Sequence, residues 1–95
     1  MTGPADLEEK TERYGRLLAE ALAAAEVLPP EGTPLAEAAA ACEEMARSYL
    51  ADGRHFREQG DPVNALAAFS YGHGWLNAGA RLGLFAGVES ELFAA

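Results

Sequence analysis

Cysteine and lysine each occur once in this chain, and isoleucine does not occur at all. The single thiol, Cys42, excludes an intrachain disulfide framework and a multi-cysteine zinc site, and reads as a small buried hydrophobe. Lys10 is the only lysine; the other cations are Arg13, Arg16, Arg47, Arg54, Arg57 and Arg81. Seven cations against 15 acids leave a net charge of −8. No basic stripe is present to neutralise phosphates, so nucleic acid is not expected as a partner. The opening Met1-Thr2-Gly3-Pro4-Ala5-Asp6 has no basic stretch followed by an apolar one, so the expected location is cytoplasmic rather than secreted. Gly-rich phosphate loops, a nucleophile elbow and a Cys–His pair are also missing. The sequence therefore names no reaction, and no cofactor or metal is expected.

What remains is a chain of 95 residues, 49% hydrophobic. That length makes one domain, which buries roughly 60–65% of its unfolded surface around one modest core. Alanine is abundant, arginine stands where lysine is usual, and Asp and Glu are in excess. This balance suits a salt-rich, halophilic cytoplasm: an acidic surface repels itself at low salt. In about 1 M salt the Debye length falls to about 3 Å, and that repulsion is screened. The chain is therefore expected to melt at a higher temperature in about 2–3 M KCl than in about 0.1 M KCl. Equal melting temperatures in the two would contradict a halophilic origin.

The hydrophobic spacing predicts an all-α fold, a three-helix up-down-up bundle formed by residues 1–95. Helix one is expected over about 6–28, with Leu7, Tyr14, Leu18, Ala21, Ala25 and Leu28 on one face. Pro29-Pro30-Glu31-Gly32 ends it. Helix two is expected over about 34–59, with Thr33 as N-cap and Pro34 at the first helical position. Its stripe is Leu35, Ala39, Cys42, Ala46, Tyr49, Gly53 and Phe56. Gly60 ends it as a left-handed C-cap. Asp61 then caps helix three, expected over about 62–85, with Pro62 at its first position. So short a Gly-Asp-Pro junction forces helices two and three into an antiparallel hairpin. Residues 86–95 make a short C-terminal tail in which Leu92 and Phe93 fold back as an apolar clip. No strand pattern is visible.

Helix three is the unusual one. From Pro62 to Ala80 it carries no acidic or basic residue. At about 100° per residue, Leu66, Phe69, His73, Leu76 and Ala80 share one face. Ala67, Tyr71, Trp75, Ala78, Leu82 and Phe85 share the opposite one. Ala65, Ala68, Gly72, Gly79 and Gly83 form a ribbon of small residues between them. Each glycine costs a helix about 1 kcal/mol relative to alanine, so close approach by another backbone is expected to offset it. Two neighbouring helices cover only about half of such a surface, and an uncovered apolar face marks an interface. The candidate interface is Tyr71, Gly72, Trp75, Gly79, Leu82 and Phe85. The expected assembly is a homo-oligomer, a dimer first of all, with an unidentified protein as a further partner. Asn64, Ser70, His73 and Asn77 interrupt the apolar run, and Arg81 sits between Gly79 and Gly83, so membrane insertion is not expected.

The titratable groups converge weakly. His55 falls on the polar side of helix two and His73 on an apolar face of helix three, with no metal-ligand spacing around either. Glu8-Glu9 and Glu43-Glu44 are neighbours in sequence, about 100° apart on a helix, so they form no catalytic dyad. Asp52 lies near the helix-two stripe, where it is expected to pair with an arginine such as Arg81 across the hairpin. His73, with Ser70, Tyr71 and Asn77, is the candidate contact for a small ligand or nucleotide in the alternative reading of this chain.

Two resemblances follow from these positions. Tyr49, Gly53, Phe56, Ala65, Phe69 and Gly72 are spaced as in a single tetratricopeptide-type hairpin. Asp52 and Asn77 depart from that pattern, and one unit makes no solenoid. The run Tyr49-Leu50-Ala51-Asp52-Gly53-Arg54-His55-Phe56, then Gly60-Asp61, Ala65 to Phe69, and Trp75-Leu76-Asn77-Ala78-Gly79, resembles the archaeal family known as domain of unknown function 357. The resemblance implies a small all-helical archaeal protein and supplies no catalytic residues. The functional expectation is a non-enzymatic interaction or self-association module.

Overall fold

The computed structural model describes residues 4–88. Three helices, α1 (Pro4–Ala24), α2 (Pro34–Glu58) and α3 (Pro62–Arg81), form the all-α bundle, with two-residue strands β1 (Glu26–Val27) and β2 (Phe85–Ala86) at one end. The clip expected from Leu92 and Phe93 lies outside the described residues.

Local chemistry sets most of the boundaries. Thr33 Oγ1 accepts from the Ala36 amide at 3.2 Å and donates to the Pro30 carbonyl at 2.7 Å, with Pro34 opening α2 behind it. At the other end of α2, Gly60 takes φ of 75°. Its amide bonds the Arg57 carbonyl, and the Asp61 amide bonds that of Phe56. This is a Schellman closure, which the left-handed conformation of glycine permits. Asp61 then caps α3: Oδ1 accepts from the Asn64 amide at 3.1 Å and Oδ2 from the Asn64 side chain at 2.6 Å. Asp61→Ala is expected to lower stability by about 1 kcal/mol in urea titrations. An unchanged midpoint would mean that the cap does not hold this boundary.

Two helix ends differ from the sequence expectation. Helix one stops at Ala24, not Leu28: Glu26 to Leu28 pair with the segment after α3, and Pro29 disfavours helical backbone at Leu28. The chain instead runs extended: Glu26 and Val27 pair antiparallel with Ala86 and Phe85, and the Leu28 amide donates to the Leu84 carbonyl at 2.9 Å. Helix three stops at Arg81, not Phe85. Gly83, expected within the helix, is its left-handed C′ residue, with φ of 81°. The bonds Gly83 to Ala80 and Leu84 to Gly79 repeat the Schellman pattern seen at Gly60. Gly87, also left-handed, passes so close to the end of α1 that a Cβ there would sit 2.4 Å from the Ala24 carbonyl oxygen.

The α2–α3 hairpin is the most intimate pair, and α1 packs chiefly on α3. Phe69 is the central peg, 1% exposed. Its ring lies against two glycines: a Cβ at Gly15 of α1 would fall 2.8 Å from it, and one at Gly53 of α2 only 2.2 Å. Gly72 does the same for Leu18, whose Cδ2 would be 2.6 Å from an added Cβ. The small-residue ribbon of α3 is therefore used inside the chain. Thr11, unremarked in the sequence, is fully buried, with its hydroxyl donating to the Leu7 carbonyl at 2.7 Å. Leu28 and Leu35, expected on buried stripes, are 53% and 61% exposed, because both lie at the strand-bearing end where the helices give way to loop.

Candidate functional site

The outward face of α3 is largely apolar, with Asn64 and Ser70 its exposed polar residues, and carries no charge until Arg81. Val63, Ala67, Tyr71, Gly74, Ala78 and Leu82 follow one another at steps of three and four residues, so they form one strip along the helix, and all are exposed. Trp75 flanks it. Exposure is 64% at Val63, 63% at Tyr71, 40% at Trp75 and 75% at Leu82, large values for apolar side chains on neighbouring turns. The Tyr71 ring leans on Tyr49 of α2, centroids 5.5 Å apart, which fixes its position while leaving its outer face open.

The six candidate interface residues divide. Tyr71, Trp75 and Leu82 lie on the open face. Gly72, Gly79 and Phe85 are buried within the chain: Gly72 against Leu18, and Gly79 beneath the Phe85 ring, 2.4 Å from where a Cβ would stand. Phe85 belongs to β2, which turns it back onto α3. Gly74 was not among the six. It lies in the middle of the exposed strip, and an added Cβ would meet nothing within 4 Å. The wheel held this signal, since Gly74 falls between Tyr71 and Ala78.

His73 is 3% exposed and faces the bundle interior, where Nε2 lies 3.1 Å from the Tyr14 carbonyl oxygen. A carbonyl only accepts, so Nε2 carries the hydrogen and donates. The Tyr14 ring meets the imidazole edge-on. Tyr71, two residues earlier and so about 200° round the helix, faces the opposite way. Hence His73, Ser70, Tyr71 and Asn77 do not surround one cavity. Burial lowers the His73 pKa from its ordinary value of 6.5, partly opposed by the bond to the Tyr14 backbone. The unfolded chain then binds a proton more readily than the folded one, so stability rises with pH across that window. It is fully present above 6.5 and is lost as pH falls through the lowered folded value. Urea titrations from about pH 7.5 to pH 5.5 should show this fall, and His73→Gln should flatten it. An equal fall in that variant would assign the pH dependence elsewhere.

Among the described residues no three of His, Cys, Asp and Glu converge as metal ligands. Cys42 is half-buried, and His55 and Asp52 are exposed. The Asp52–Arg81 pair does not form; among the described residues the ion pairs are Arg16–Glu20 and Arg47–Glu43, each at 3.9 Å within one helix. Among the described residues no helix is long and apolar enough to cross a membrane.

Residues 13–85 match the model of the family described as Protein of unknown function (DUF357). The chain belongs to this family. The DUF357 span takes in the Gly15–Phe69–Gly53 contact, the hairpin and the whole exposed strip of α3 through Leu82. No curated protein and no solved structure matches the chain.

Proposed function

We propose that this DUF357 protein is a non-enzymatic self-association module in which the outward face of α3 meets the same face of a second copy. The observation that carries the reading is Gly74. A glycine inside an exposed helical face costs about 1 kcal/mol relative to alanine. Gly15, Gly53, Gly72 and Gly79 offset that cost by contacts within the chain; Gly74 touches nothing there. With the exposed Tyr71 one turn back and Ala78 one turn on, it leaves a notch in α3 at which another helix can cross. A second copy is the occupant that charge favours. The chain carries −8, and the strip is where two such chains approach without opposing carboxylates. A two-fold contact also requires a face that complements itself, which an uncharged apolar strip does.

We place this module in the cytoplasm of a salt-adapted archaeon. The lone cysteine suits a reducing compartment, and the acidic, lysine-poor composition suits high salt. Nucleic acid and membrane are not among its proposed partners.

Trp75 is the only tryptophan and lies beside the crossing point, so it reports directly on the contact. Dilution from about 100 µM to about 0.1 µM, across the range where modest interfaces dissociate, is expected to shift its emission to longer wavelength as it becomes hydrated. Emission that is independent of concentration would contradict self-association through this face.

A further inference from the structure

Three of the six arginines converge on one groove. Glu12 and Arg16 of α1 and Arg54 and Arg57 of α2 line a cleft of about 420 Å³ between these helices, together with Gly15, Ala19 and Phe69. Arg54 and Arg57 also line a second groove of about 360 Å³, shared with Glu8 and Glu58. On a chain with 15 carboxylates, arginines have many chances to pair. Arg54 even has Glu58 four residues on. Yet neither Arg54 nor Arg57 takes part in an ion pair among the described residues, and Arg16 reaches Glu20 only at 3.9 Å through exposed side chains. The cleft therefore presents guanidinium donors that the protein's own acids do not occupy.

We propose that this cleft binds a small phosphorylated ligand, a pyrophosphate or phosphomonoester group held by Arg16, Arg54 and Arg57. Guanidinium groups from two facing helices match the several oxygens of a phosphate and its charge of about −2. Ala19, half-buried, gives the cleft an apolar side that keeps water from one flank of the anion, which strengthens each contact. The ligand is small for two reasons. The cleft is at the lower end of the size range of ligand pockets. Glu8, Glu12 and Glu58 at the same grooves repel a longer polyanion. The site is independent of the proposed dimer contact: it lies between α1 and α2, over the face of α3 opposite the exposed strip.

The test is titration of the full chain with inorganic pyrophosphate at constant ionic strength, followed by amide ¹H–¹⁵N shifts. Saturable shifts are expected at Gly15, Arg16, Arg54 and Arg57. Arg54→Gln and Arg57→Gln should each weaken binding by about tenfold or more, as loss of a charged anchor does. Arg47→Gln, an equal loss of charge on α2 away from the groove, should change it by less than about twofold. These arginines are exposed, so the variants keep their fold. Absence of saturation at about 10 mM, well above the dissociation constant of a specific site, would overturn the proposal. So would an equal loss in Arg47→Gln, or tighter binding of a single-stranded oligonucleotide than of pyrophosphate at the same amides.

Discussion

Phe69→Ala is expected to cost about 3–5 kcal/mol, the range for removing a fully buried aromatic ring. A domain of this size has about 5–15 kcal/mol in all, so the variant should sit near its unfolding transition at room temperature. The loss is large because one ring serves three helices. Phe69 projects from α3 into spaces that exist only because Gly15 of α1 and Gly53 of α2 lack side chains. Removing it leaves a cavity that neither glycine can fill. The reverse change tests the same contact. Gly53→Ala gains about 1 kcal/mol of helix propensity, but its Cβ would stand 2.2 Å from the ring. Overpacking costs about 1–3 kcal/mol, so the net effect should be destabilising. Combined with Phe69→Leu, which leaves room at that point, Gly53→Ala should cost less than the two single changes added together. Urea titrations of the four proteins complete the cycle. A loss below about 1 kcal/mol in Phe69→Ala would mean that the bundle is not keyed on this ring.

Trp75→Glu should have the largest effect on assembly. Its side chain is 40% exposed within one chain, so losing the packed part of the ring should cost the monomer about 1–2 kcal/mol. At the contact between two copies the same change buries two carboxylates against apolar surface. Losing an aromatic anchor at the centre of an interface costs about 2–4 kcal/mol, or roughly 30- to 1,000-fold in affinity. The dimer should therefore dissociate while the monomer stays folded, with a modestly lower melting temperature. Ala51→Glu is the control. It lies exposed on α2 and adds the same charge to the same acidic chain. If general repulsion set the association, both variants would weaken it equally; the proposed contact predicts that only Trp75→Glu does.

Much of the fold was readable because its signals are local. Gly60-Asp61-Pro62 specifies a C-cap, an N-cap and a first helical residue in three consecutive positions, and all three appear. The buried face of α3 followed from periodicity alone, with Phe69, His73 and Leu76 inward. The β1–β2 pair was not readable. Two residues carry no alternation, and the pairing joins positions some sixty residues apart. That same pairing pulled Leu28 and Phe85 out of the helices assigned to them. The candidate interface was half legible. A helical wheel shows which residues are small or apolar, but it cannot distinguish a neighbour in the same chain from one in another. Gly72 and Gly79 were taken by Leu18 and Phe85, whereas Gly74 was left open. The arginine cleft was invisible for a related reason: Arg16 and Arg54 meet only after α1 has docked beside α2.

Sedimentation equilibrium of the unmodified chain reads association through α3 without any substitution. The monomer mass is 10.0 kDa. At about 100 µM in high salt, where like-charge repulsion is screened, about twice that mass is expected, returning to the monomer value in Trp75→Glu. A single 10.0 kDa species in the unmodified protein under those conditions would contradict it.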